Sequence, residues 1–160
     1  MECIETIDLK THAIQAVSQV FDTMLALPVD LVQDDGENLS DGCHIVGSVG
    51  IAGSVMGNVN ILVPEAFARI MTAAMLGMDE DEIEGEEEVK DVLGEVCNMV
   101  GGDIKSRLCD AGLECGLSIP SITSGSNFHI EPRGWVRNER FGFRCNGHLA
   151  LVEIHMKSAR

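Results

Sequence analysis

Residues 86–111 run EEEVKDVLGEVCNMVGGDIKSRLCDA. Apolar residues fall at Val89, Val92, Leu93, Val96, Met99, Val100, Ile104 and Leu108, the three-and-four spacing of a helix with one buried side. Advancing about 100° per residue brings Glu95, Asn98 and Gly102 within about 40° of Asp91, while Leu93, Val96 and Val100 point the opposite way. One face grips a core. The other presents a carboxylate, an amide and bare backbone, and is the candidate site.

Gly94, Gly101 and Gly102 lie inside this pattern, and each costs about 1 kcal/mol against alanine in a helix interior. The apolar spacing resumes in phase at Ile104 and Leu108, which predicts one unbroken helix. The three glycines flank the Glu95/Asn98 side. Two readings account for them: a bulky partner docks closely on the polar face, or an internal element packs against the bare backbone.

Upstream, Asp79 to Glu88 is an acidic run that suits the positive end of the helix dipole and could steer a partner with a basic rim. Before it, Phe67, Ile70, Met71, Ala74, Met75 and Met78 form the apolar stripe of a shorter helix opened by Pro64 and capped by Gly77. Its methionines read as core filler. Cys43 to Ile51 and Val55 to Val63 alternate as strands, with Gly53-Ser54 suited to a two-residue type II′ turn. Gly47, Gly50 and Gly57 weaken these strands unless a neighbour packs on the backbone, and the long helix is the expected neighbour. Leu9 to Leu27 reads as a first helix, with Asp8 as N-cap and Pro28 as its end, and Asp30 to Asp41 as an exposed connector.

Downstream, Leu113 to Ile119 enters a strand limited by Pro120, and Ser121 to Ser126 reads as a polar turn. Phe128 and Ile130 suggest a brief strand, with a turn at Pro132 and Gly134. Phe141, Phe143 and Cys145 alternate, Asn146-Gly147 supplies a type I′ turn, and Ala150, Val152, Ile154 and Met156 alternate again. The pattern predicts an α+β fold, with long helices packed on a mostly antiparallel β-sheet. Helix-strand-strand appears in each half, a weak internal duplication. No linker splits the chain, so residues 1–160 read as a single domain.

A formal charge of −15 argues against nucleic acid as a partner. No apolar run is long enough to span a bilayer and the start lacks a signal-peptide pattern, which predicts a soluble, cytoplasmic protein with no membrane association. The six cysteines form no C-x2-C pair and read as reduced thiols, and the five histidines have no H-x3-H spacing, so no intrinsic metal is predicted. Neither phosphate-loop glycine pattern occurs. Asp91 and Glu95 could suggest glycosidase chemistry, but a convex helix face offers no sugar-sized cleft. A Glu and an Asn three apart can instead anchor a cation and orient a water, which suffices when the substrate brings its own labile bond and metal.

Asp91-x3-Glu95-x2-Asn98, followed by Pro120, resembles the signature of the CheC/CheX/FliY chemotaxis phosphatases, in which Asp or Ser leads to Glu and Asn at this spacing and to a Pro about twenty-two residues on. Here 21 residues separate Asn98 from Pro120. LGEVCNMVGGDIKSRL and LSIPSITSG also read like CheX. CheC carries two such motifs; Thr11, Gln15 and Ser18 stand where a second copy would lie, leaving one, the CheX arrangement. The resemblance implies a phosphatase acting on a phosphorylated CheY-like response regulator, which brings its own Mg²⁺, so that this chain needs no cofactor. It implies that Asn98 orients the attacking water and that Glu95 pairs with the regulator's active-site lysine. Asp91 then helps shape the docking face, and Pro120 ends a strand nearby. It also implies a homodimer, for which Leu149 to Met156 or its neighbours would offer a strand edge. The rival reading is a non-catalytic binding or scaffold module of the same fold.

Overall fold

The long helix forms as α3, Glu86–Asp110, unbroken through Gly101 and Gly102. It buries Val89, Val92, Leu93, Val96, Cys97, Val100, Ile104 and Leu108. Each buried Val, Leu or Ile is worth about 1.5–3 kcal/mol, which outweighs about 1 kcal/mol for each interior glycine. Packing wins over propensity. This computed structural model describes residues 4–32, 42–126 and 133–159; Cys3, most of the predicted connector and the predicted strand at Phe128 and Ile130 lie outside them.

Two further helices, α1 (Leu9–Val20) and α2 (Glu65–Leu76), pack along α3. Beneath them lies a seven-stranded antiparallel sheet of β1 (Asp30–Val32), β2 (Cys43–Gly53), β3 (Val55–Pro64), β4 (Cys115–Leu117), β5 (Ser121–Ser126), β6 (Arg137–Cys145) and β7 (His148–Ser158). The order is β1-β6-β7-β3-β2, and β4 and β5 both pair with the outer edge of β2. The α+β expectation holds. The two hairpins β2-β3 and β6-β7 meet back to back through β3 and β7, which gives the helix-strand-strand repetition its spatial form.

Glycine lets α3 and β2 come together. A Cβ at Gly47 would stand 2.8 Å from Cys97 Sγ, and one at Gly101 would stand 2.5 Å from Val49 Cγ1. Each element thus offers the other a bare patch of backbone. Gly57 serves a different neighbour, the main chain of β7 at His155.

Several elements depart from the sequence reading. The first helix ends at Val20 and continues as a π turn, Phe21–Leu25, closed by Ala26 in the left-handed region. That wider winding keeps both Phe21 and Leu25 inward and leaves Met24 outside. Phe21 meets Phe143 edge-on at 5.2 Å and stacks toward Phe67 at 6.2 Å, so one ring ties the π turn to α2 and β6. The β2-β3 connection has three residues rather than two, because Ala52 sits opposite Met56. The Ser54 N–H donates to the Glu114 carbonyl at 2.8 Å, which holds the turn open toward β4. Ser121–Ser126 is a strand, not a turn. It lies along an edge with one exposed face, where polar residues are tolerated. Strand β7 is central, between β3 and β6, so Leu149 to Met156 offers no free edge. The Asn146-Gly147 turn forms with both residues at positive φ, as a type I′ turn requires.

On α1, Thr11, Gln15 and Ser18 are exposed, and the Arg107 guanidinium of α3 donates to Gln15 Oε1 while pairing with Asp103. Cys43, Cys97, Cys109, Cys115 and Cys145 are free thiols. Burial pushes the Cys97 thiol up to about 12 and Cys115 up to about 11, which keeps both as unreactive thiols at neutral pH.

Gly101→Ala should destabilise the fold by about 1–3 kcal/mol through overpacking against Val49. Gly102→Ala meets only Leu117 at an ordinary 3.6 Å and should stabilise by up to about 1 kcal/mol. Urea denaturation of the two variants checks the contrast. With iodoacetamide at pH 8, Cys97 should stay unmodified in the native protein and react once it is unfolded, as mass spectrometry of the peptides would show.

Candidate functional site

The apolar side of α3 is fixed against the sheet, so its opposite side is set in space. Val96 and Val100 are buried, and Asp91, Glu95 and Asn98 are exposed on adjacent turns. Among the described residues, none of these three side chains has an internal hydrogen-bond or salt-bridge partner. Their polar capacity is left for something outside the chain.

Facing them is the edge segment between β4 and β5. Ile51 pairs with Leu117 and Ser48 with Ser121, so Val49 and Gly50 stand opposite three residues, Ser118, Ile119 and Pro120. The extra residue is a β-bulge. Pro120 has no N–H to give the ladder, which favours the interruption here. The bulge also solves a parity problem. Leu117 and Ile122 are five apart and would face opposite sides of a regular strand, yet both turn toward α3. Leu117 packs on Gly101 and Gly102, and Ile122 and Pro120 pack on Gly94. Ile119 is left pointing outward, 89% exposed.

Helix and bulge enclose a groove of about 500 Å³. Lys90, Asp91, Gly94, Glu95 and Asn98 form one wall, and Leu117 to Pro120 with Ile122 form the other. The helix face is therefore not the bare convex surface that the sequence suggested. Glycosidase chemistry remains unsuited, because Asp91 and Glu95 share one wall instead of flanking the groove.

The sequence-predicted residues thus fall into two groups. Asp91, Gly94, Glu95, Asn98 and Pro120 come together in the groove. Gly101 does not: it is buried under Val49, so the close approach it permits is to β2 and not to a partner. Gly102 is half-buried beside Leu117, outside the groove lining. Lys90, Ser118, Ile119 and Ile122 were not singled out from sequence. The only local signal for them was Pro120, since the wall they build depends on pairing with β2. The closest grouping of acidic side chains among the described residues, Asp79, Asp81 and Glu82, lies elsewhere on an exposed turn and is drawn together by a capping box. No described helix is long and apolar enough to cross a membrane.

Known proteins share this architecture. The chain superposes on the chemotaxis protein CheX of Vibrio vulnificus with a TM-score of 0.81 at 24% identity, covering 94% of this chain and 97% of that one. For CheX in a CheX-CheY-BeF3-Mg²⁺ complex from Borrelia burgdorferi the TM-score is 0.77 at 23% identity, covering 95% and 99%. For a CheC-like superfamily protein from Shewanella sp. PV-4 it is 0.74 at 26% identity, covering 96% and 99%. No curated protein sequence matches the chain. The model of the family described as chemotaxis phosphatase CheX matches residues 45–143, a span that holds most of β2 and all of β3, α3 and both walls of the groove. With more than half its length matched in this way, the chain belongs to the CheX family of chemotaxis phosphatases.

Proposed function

We propose that this chain hydrolyses the aspartyl phosphate of a CheY-like response regulator, with Asn98 and Glu95 as the working side chains. The observation that carries the reading is their shared placement. Both are exposed, internally unpartnered, and set on one wall of a groove whose other wall bears Pro120. A CheX of the same fold crystallised with CheY, BeF3 and Mg²⁺ supports a regulator that brings its own metal.

An acyl phosphate is already labile, so the barrier that remains is largely the placing of a water in line with phosphorus. The Asn98 amide oxygen accepts a hydrogen bond from that water and aims its lone pair. Water oxygen bonds to phosphorus, the bond to the aspartyl oxygen breaks, and inorganic phosphate and free aspartate result. No covalent bond to this chain forms. Glu95 pairs with the regulator's active-site lysine and fixes the docking, and Asp91 shapes the same face. Gly94 keeps the groove floor low. Residues 1–160 act as one unit on a cytoplasmic substrate.

Asn98→Ala should cut turnover by about a hundredfold or more while binding of the beryllofluoride-activated regulator stays within about twofold. Glu95→Ala should weaken both, and Glu95→Gln, which keeps shape and loses charge, should show how much of the docking is the ion pair. Asp91→Ala should change stability by only a few tenths of a kcal/mol. Gly94→Ala meets Ile122 and Pro120 at ordinary distances and should leave the fold intact, yet lower turnover by narrowing the groove. Regulator dephosphorylation at saturating protein, after circular dichroism has shown each variant folded, checks the set. Unchanged turnover by Asn98→Ala removes the water-positioning role, and binding without turnover by the wild type makes the chain a scaffold module.

We also propose a homodimer. With β7 internal, the available edges among the described residues are β1 and the β4-β5 side, and pairing through β1 would leave the groove open. Light scattering at micromolar concentration should give twice the chain mass.

A further inference from the structure

We infer that Ile119 is the apolar anchor by which the groove takes hold of the phosphorylated receiver domain, an inference that rests on the phosphatase reading. A lone exposed isoleucine is ordinary on any protein surface, so exposure alone says little. Its setting says more. Ile119 is the apex of the bulge, and its backbone is held through its neighbour Ser118. The Ser118 N–H donates to the Gly50 carbonyl at 2.9 Å, the Gly50 N–H donates to Ser118 Oγ at 2.8 Å, and that hydroxyl donates to the Ile119 carbonyl at 3.3 Å.

The bulge needs an extra residue at this position but not an apolar one. Leu117 and Ile122 already supply the contacts to α3, and the Ile119 side chain adds nothing to the core. A β-branched chain on a fixed backbone loses little freedom when it is covered, and such pre-organised apolar side chains make good interface anchors. Ile119 stands at the groove rim, across from Asp91 and Glu95. An occupant must therefore present a cation next to apolar surface. A receiver domain with its lysine and bound Mg²⁺ beside the phosphoaspartate meets that demand. A second copy of this chain, at −15, would bring mostly like charge to the acidic wall.

The test uses the whole chain and a panel of CheY-type receiver domains, each activated with beryllofluoride and Mg²⁺ for binding and phosphorylated with acetyl phosphate for turnover. Ile119→Asp and Ile119→Ser should each raise Kd and KM about tenfold or more, with kcat at saturation within about twofold of wild type. Ile119→Val should recover most of the affinity. Asn98→Ala in the same assays should show the reverse split, with kcat lost and Kd kept. If the wild type turns over a receiver and Ile119→Asp leaves Kd and KM unchanged, the anchor is overturned and the phosphatase reading stands. If the wild type binds without turnover and Ile119→Asp loses binding, the anchor stands and the phosphatase reading falls. Binding of no receiver by the wild type overturns both. A change in oligomer mass for Ile119→Asp at constant Kd assigns the side chain to self-association and overturns the anchor.

Discussion

The structure depends on how closely α3 lies on β2. Gly101 on the helix receives Val49, and Gly47 on the strand receives Cys97 and Leu93. Backbone meets side chain in both directions, so neither element can rise without opening a void. This contact sets the depth of the helix, and through it the height of Glu95 and Asn98 above the sheet edge. A catalytic amide misplaced by about 1 Å can lose a hundredfold in rate. On the proposed function, the glycines of the core would therefore bear on the rate without touching a substrate.

The legible parts of the chain are those whose signal is local. The spacing from Val89 to Leu108 specifies a helix, its buried side and, by subtraction, the exposed stripe of Asp91, Glu95 and Asn98. The Asn146-Gly147 pair specifies a hairpin, because both residues tolerate positive φ. The glycine-rich strand called for a close neighbour, and α3 fills that role at Gly47. Yet local signals could not choose between the two meanings of Gly94 and Gly101. One lines the groove and the other lies under Val49.

What escaped the sequence reading arises from pairing between distant residues. Ser121–Ser126 carries one large apolar side chain, Ile122, so only its partnership with Cys43–Ser48 makes it a strand. The three-residue β2-β3 connection follows from a hydrogen bond to Glu114, some sixty residues away in sequence. The second wall of the groove arises in the same way, from a mismatch between the registers of β4 and β5 on β2. A chain read one residue at a time shows a helix face where the folded protein has a groove.

The contact between Arg107 and Gln15 bears on counting. In the half of the molecule that repeats the helix-strand-strand plan, the position that mirrors Glu95 carries a neutral amide, and a cation from α3 already occupies it. The duplicated half has become a brace for the helix that carries the site. On the proposed function each chain would therefore offer a regulator the site on α3 and no second one at Gln15. In the proposed homodimer two such sites would then be held apart on separate subunits, so that signal decay would scale with the number of chains and avidity would come only from pairing.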